Sequence, residues 1–286
     1  MKKRKLLCTA ILAMLLIPTA TFAACNHDTS PTISQNDSEI SAILPDTGTP
    51  NGSEQESNNA QGSSPNVSES PNIPTTQNTQ YIRCTGDSVR LRSGAGTEYS
   101  VLGVAEKGTS YVVLGKSGGW YKTYYRGKVA YISSSYVSVF SMAQTDERTE
   151  DVLAEGYKLI GVPYVYGAVR LHDGKGNFLK GFTAQKFDCS SRIQYVFYQG
   201  AGKVLDVTTR TQVKQGKYVA RSALQRGDCI FFTNEERQYK TGVERIGHVA
   251  IYLGDDYILH TASDYARIEK MTAKRWSFYV EARRFI

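Results

Sequence analysis

Apolar and polar positions change rhythm several times along the chain, and each change marks a boundary. The first 25 residues, MKKRKLLCTAILAMLLIPTATFAAC, set a basic start (Lys2, Lys3, Arg4, Lys5) before an apolar run from Leu6 to Ile17 and a small-residue exit. That run is too short for a dependable membrane span and has the layout of a secretory signal, residues 1–25. Residues 26–80 lose the rhythm: they are Asn, Ser, Thr, Pro, Gln and Gly with few large apolar side chains. Such a stretch cannot bury enough surface to offset chain entropy, so a disordered tether is expected. From 81 to 138 short alternating runs break at Gly-rich turns such as Ser117-Gly118-Gly119 and Arg126-Gly127-Lys128. The pattern predicts strands closing into a small all-β barrel.

After a polar connector, 139–147, the period lengthens. TDERTEDVLAEGYKLIGVPYVYG, 145–167, predicts a helix capped by Thr145 or Asp146 and stopped by Gly161 and Pro163. KFDCSSRIQYVFYQG, 186–200, places Cys189, Ile193, Val196 and Phe197 on one helix face, with Cys189 at its start. Strand patterns follow: DCIFFT (228–233), IGHVAIYLG (246–254), YILHTAS (257–263) and FYVEARRF (278–285). Helices first and an antiparallel meander after them describe an α+β domain over 148–286.

Charge sharpens this picture. Of 34 Lys and Arg, four lie in the signal and none in the tether; of 27 acids, seven lie in the tether. The part from residue 81 onward therefore carries 30 cations against 20 acids, a net of +10. Secreted and basic suits an anionic extracellular polymer such as a bacterial cell wall. No zinc spacing, helix-turn-helix or basic helix supports nucleic acid. The five cysteines (8, 25, 84, 189, 229) are odd in number and widely spaced, which fits neither a disulfide framework nor a zinc site. Cys84 and Cys229 read as packing residues. FAAC, 22–25, resembles a lipobox, with Phe22 where Leu is preferred. Cys25 would then be acylated and tether the protein to the membrane, the alternative being plain cleavage near Ala23 or Ala24.

Cys189 has two readings. A Cys on an apolar helix face is often a buried packing residue. A thiol nucleophile instead needs a base, and the base a third group to orient it. His248 and His260 lie in successive strands joined around Gly254-Asp255-Asp256. With a three-residue loop, paired positions sum to 510, and both rings fall on one sheet face a diagonal step apart. A two-residue loop at Asp255-Asp256 puts them on opposite faces. Metal binding by the two histidines lacks a third ligand at useful spacing, so no metal and no cofactor is expected.

VRLRSGAGTEYSVLG, KGTSYVVLG, GGWYKT and GKVAYISSSYVS resemble the bacterial SH3-type domains found beside cell-wall enzymes. That implies wall-peptide binding, or a wall lining one side of a neighbouring active site. GVPYVYGA, FDCSSRIQYVF, RGDCIFF, IGHVAIYLG and YILHTAS, in this order, resemble the NlpC-type cell-wall cysteine peptidases, a papain-like family. The resemblance implies an α+β papain-like domain, helices packed on an antiparallel sheet, preceded by the SH3-like barrel. It implies Cys189 as nucleophile, His248 as general base and His260 as the residue that orients it. Tyr164 takes the position whose hydroxyl helps the oxyanion. Asp188 and Ser190 match positions that hold the substrate peptide, and Thr209 falls where a related Ser or Thr contributes. Asp188 also suggests a clamp for a free α-amine. The helix N-terminus is expected to lower the Cys189 pKa, with a His248 imidazolium stabilising the thiolate.

The implied substrate is a peptidoglycan stem peptide or muropeptide, cut between γ-D-glutamate and the diamino acid. The protein would be monomeric, extracellular and wall-associated, held by a lipid on Cys25 or secreted. An amidase or cross-bridge peptidase, or an inactive wall-binding protein, are the alternatives. Two residues depart from the family pattern: Ala168 stands where a second glycine is usual, and Ser191 where Gly follows Cys-Ser. They are expected to crowd a turn and the helix's approach to the sheet. Residues 169–186 are longer than in relatives and predict a loop or hairpin beside the cleft, with His172 exposed and non-catalytic.

Overall fold

Short alternating runs become eight strands: β1 (Asn78–Cys84), β2 (Val89–Arg92), β3 (Val101–Ala105), β4 (Ser110–Val112), β5 (Gly115–Ser117), β6 (Trp120–Tyr125), β7 (Lys128–Ser133) and β8 (Val137–Ala143). The computed structural model describes residues 77–261 and 264–286; the signal, most of the tether and Cys25 lie outside the described residues. The connector read over 139–147 is shorter than expected, because β8 runs on to Ala143. Val139, Phe140 and Met142 pair along β1, and Phe140 stacks on Tyr81 at 5.3 Å and on Tyr257 at 4.8 Å.

The second half holds α1 (Glu147–Lys158), α2 (Cys189–Ala201), α3 (Thr209–Gln212), β9 (Lys217–Val219), β10 (Cys229–Phe232), β11 (His248–Gly254), β12 (Tyr257–Thr261), β13 (Ala266–Lys270), α4 (Ala273–Ser277) and β14 (Tyr279–Arg284). These strands do not stop at a domain boundary. A nine-stranded antiparallel sheet runs β8-β1-β4-β13-β12-β11-β10-β14-β9, so three strands of the upstream module extend the sheet that carries the histidines. The other five form their own sheet, β3-β2-β7-β6-β5. The joint is the pairing of Ser110 on β4 with Ile268 on β13. Backbone bonds from Arg126 N to Ile160 O (2.7 Å) and from Gly127 N to Lys158 O (2.8 Å) fasten the β6–β7 turn to the end of α1. Gly161 is required beside this contact: its φ is +84°, and a Cβ there would stand 2.3 Å from the Tyr125 ring.

The main core lies between the sheet and α1–α2. Leu153, Ile193, Phe197, Phe231, Val249 and Leu259 are fully buried there, each worth roughly 1.5–3 kcal/mol over exposure. The helices cross closely at Gly200, where a Cβ would meet the Val152 backbone at 2.5 Å. A smaller core on the opposite face (Ile230, Phe232, Ala250, Ile258, Ala282) is covered by Trp276 of α4. Period-two alternation thus sends Val249 and Ile251 to one face and His248 and Ala250 to the other.

The hairpin register settles the question left open between loop lengths. Ile251 pairs with Leu259 and Tyr252 with Ile258, both summing to 510, so the histidines share a face. The turn is nevertheless two residues, Asp255 (φ 49°) and Asp256 (φ 65°), with Gly254 opposite Tyr257; a bulge restores the register. Two adjacent left-handed aspartates are poorly suited to such a turn, where Asn followed by Gly is preferred. The double substitution Asp255→Asn with Asp256→Gly should raise stability by about 0.5 to 1 kcal/mol. The urea midpoint checks this, and hydrolysis should be unchanged.

Candidate active site

The start of α2 is organised by Asp188. Its Oδ1 accepts from the Ser191 backbone N–H at 2.7 Å and from the Ser190 hydroxyl at 3.1 Å. Ser191 Oγ in return accepts from Asp188 N at 2.9 Å, closing a capping box. Such a cap is worth about 1 kcal/mol. Ser191 therefore fixes the helix start and does not crowd it. Ala168 likewise sits unstrained, because the left-handed residue of that turn is Gly167, at φ 71°.

Asp188 is 4% exposed and its second oxygen is taken too: Oδ2 faces Arg170 Nη2 at 3.1 Å and Gly167 N at 3.3 Å. With four donors already on it, this carboxylate is not an open clamp for an amine, and that expectation is corrected. Ser190, also buried, has its one hydroxyl proton between Asp188 Oδ1 and the Val207 carbonyl at 3.2 Å. Arg170 comes from the long segment after Ala168. It also donates to the carbonyls of Val207 and Ala168, so the segment is tied directly to the turn that carries Cys189. Thr209 is buried at the start of α3, next to the helix cap Thr208. Gln212, which the sequence pattern does not single out, donates from Nε2 to Ser190 O (3.0 Å) and Asp206 O (2.8 Å). It fastens α3 to the same turn.

The long segment folds back on itself, with His172 bridged to Phe178. Asp173 Oδ1 accepts from Lys175 N and Asn177 N, closing the turn next to His172. His172 is consequently buried, contrary to expectation, with Nδ1 accepting from Gly174 N at 3.1 Å and its ring 5.5 Å from Tyr198.

His248 Nε2 and His260 Nδ1 are 2.9 Å apart across the β11–β12 hairpin, the rings nearly perpendicular. His260 is fully buried, with Nε2 3.1 Å from Glu269 Oε1 on β13. The Val249 backbone N–H, next to His248, lies near enough to the Cys189 sulfur to favour its thiolate.

Burial dominates the electrostatics. It pushes the Cys189 thiol up to about 12, with the Asp188 charge adding and the N–H groups of Val249, Ser190 and Cys189 opposing. The expected lowering by the helix N-terminus is present in those N–H groups but is outweighed by burial and by the Asp188 charge. Burial, then His260, Arg275 and Arg192, holds His248 well below the ordinary imidazole value. The resting pair is thus thiol and neutral imidazole. Burial and the charges of Cys189 and Asp188 raise the Tyr164 hydroxyl to about 12, so it remains a donor close to the thiol. Cys84 and Cys229 are buried free thiols, and among the described residues no group of three His, Cys, Asp or Glu could hold a metal ion.

Arg170→Leu should expose the cost of leaving Asp188 unpaired beside a forming thiolate. Alkylation of Cys189 by iodoacetamide at pH 7 is expected to slow about tenfold, read site by site by mass spectrometry.

Residues 161–284 match the model of the NlpC/P60 family, and residues 87–138 that of the bacterial SH3 domain. The gamma-DL-glutamyl hydrolase of Bacillus subtilis (strain 168) is 35% identical over 147 residues, 51% of this chain and 30% of that protein. The protein named Murein DD-endopeptidase MepS/Murein LD-carboxypeptidase of Escherichia coli (strain K12) is 36% identical over 110 residues, 38% of this chain and 54% of that one. A solved NlpC/P60 family structure from Bacillus cereus ATCC 10987 is similar at 22% identity with a TM-score of 0.39, covering 72% of this chain and 63% of the other. The chain spans less than two thirds of the length of each.

Proposed function

Residues 161–284 belong to the NlpC/P60 family and residues 87–138 to the bacterial SH3 domains, and on that premise we propose a thiol-dependent peptidoglycan hydrolase. It cuts the bond between γ-D-glutamate and the diamino acid of wall stem peptides. The observation that carries this reading is the His248–His260 pair at 2.9 Å beside Val249, whose backbone N–H lies near the Cys189 sulfur at the head of α2.

Cys189 Sγ attacks the amide carbon as His248 takes the thiol proton. Because burial keeps the resting pair neutral, that proton moves at the moment of attack. The tetrahedral oxyanion is stabilised by the Tyr164 hydroxyl and by backbone N–H at the start of α2. His248 then gives its proton to the leaving amine, and water hydrolyses the thioester, restoring the thiol. The base must be neutral to act. With His248 depressed below 6.5, kcat/KM should hold its plateau into mildly acidic solution, which a pH–rate profile checks.

The E. coli relative's name favours a second reading, cleavage in a cross-bridge, on the same residues. Secretion and lipid attachment at Cys25 are part of the proposal, with the upstream module binding wall peptide or bracing the site. Since both oxygens of Asp188 are occupied, the substrate needs no free N-terminal amine. Defined stem peptides with a free and with an acylated L-alanine should be cut at similar rates. Strong dependence on the free amine would return Asp188 to the role of clamp.

A further inference from the structure

We infer that Glu269 is a positioning residue of the relay, fixing the tautomer of His260 and so leaving the correct nitrogen of His248 free for the thiol. This rests on the hydrolase reading above.

A carboxylate only accepts hydrogen bonds. Glu269 Oε1 lies 3.1 Å from His260 Nε2, off the straight N–H direction but within ion-pair reach. The His260 proton therefore sits on Nε2, and its Nδ1 is a lone pair. That lone pair is 2.9 Å from His248 Nε2, which must donate to it. Neutral His248 then has Nδ1 unprotonated, available as the base. With Gln at position 269, whose amide can accept from Nε2 or donate to it, His260 is equally free to carry its proton on Nδ1 and donate it to His248 Nε2. The His248 proton would then sit on Nδ1, and the base would be lost.

The fold enforces the placement. Glu269 stands opposite Ile258 in the β12–β13 ladder, on the face that also carries His260. The other edge of β13 is held by β4 of the upstream module, one residue away at Ile268. Against the upward push of burial, His260, Arg275 and Arg267 hold the Glu269 carboxyl at about 2, so it is charged at any working pH.

The surrounding charges give the test its signs. His260 meets Glu269 from β13, Arg275 from α4, Arg192 from α2 and His248 from β11. Glu269 meets Arg275 Nη2 at 3.3 Å and Arg267, which is itself engaged by Asp264 and Glu106. Glu269 favours positive charge on the histidine pair, whereas Arg275 and Arg192 oppose it. Removing Glu269 and removing Arg275 must therefore act in opposite directions.

Full-length Glu269→Gln and Arg275→Gln proteins would be compared by pH–rate profile on a stem peptide and by iodoacetamide alkylation of Cys189. Glu269→Gln should lower kcat about tenfold with KM nearly unchanged, move the acid limb of kcat/KM to lower pH and slow alkylation. Arg275→Gln should move the limb to higher pH and speed alkylation. Shifts in the same direction, or no shift in either, would overturn the role of Glu269. Alkylation needs no substrate, so it decides the relay even if the wild-type protein cuts no stem peptide. Should Glu269→Gln fail to fold, Glu269→Asp decides it: the shorter carboxylate keeps the charge but not the reach to Nε2, so kcat should fall with the acid limb little moved, and an unchanged kcat would overturn the role.

Discussion

Cys189→Ala will lower hydrolysis of stem peptides by about 10⁴-fold or more, because the nucleophile cannot be replaced by its neighbours. The same change should cost at most about 1 kcal/mol of stability, since it removes one small atom from a site already closed by the Asp188–Ser191 cap. The packing reading of Cys189 predicts the reverse pattern, a loss of stability with the rate kept. Circular dichroism melting beside a product assay separates the two. His248→Ala should fall nearly as far in rate, and the double variant no further, because the pair acts as one unit.

Arg226 carries the largest expected effect on stability. Its side chain is 3% exposed and forms a bidentate pair with Glu150 of α1, at 2.6 and 2.8 Å. It also donates to the Leu253 carbonyl at 3.0 Å and to the hydroxyls of Tyr81 (2.8 Å) and Tyr157 (2.9 Å). Tyr81 belongs to β1 of the upstream module, so one guanidinium joins the module, α1 and the sheet. Arg226→Met leaves the Glu150 charge with only the Thr145 N–H and takes the guanidinium donor from the Tyr81–Tyr157 hydroxyl pair, and should cost about 3 to 5 kcal/mol. Adding Glu150→Gln should recover part of that loss, since the penalty comes mainly from the abandoned charge. Urea midpoints of the single and double variants measure both. A loss under about 1 kcal/mol for Arg226→Met would show that the module and the catalytic half are not joined through this residue.

Much of the site was legible because its residues lie in regular elements. Helical spacing put Cys189 at the head of an apolar stripe, and strand spacing with a register sum of 510 put both histidines on one face. The turn between them was legible only as two alternatives, since a bulge combined the short loop of one with the register of the other. Glu269 was hidden because β13, ARIEK, has three charged residues in five and does not read as a core strand. Arg170 was hidden for another reason. It lies in a loop, and only folding brings it to Asp188, which the sequence shows as a free carboxylate beside the thiol. The raised pKa of Cys189 is not legible in a helix N-terminal position, because burial, which only the fold creates, is the larger effect here. The shared nine-stranded sheet rests on one pairing, Ser110 with Ile268, and no local pattern announces a contact between residues so far apart in the chain.

The most direct test of the central claim is mass spectrometry of a defined stem peptide incubated with the wild-type protein and with Cys189→Ala. The wild-type protein is predicted to release one fragment ending in D-glutamate and one beginning with the diamino acid, and the variant neither. Cleavage by both proteins, or by neither while both still bind isolated wall, would contradict it.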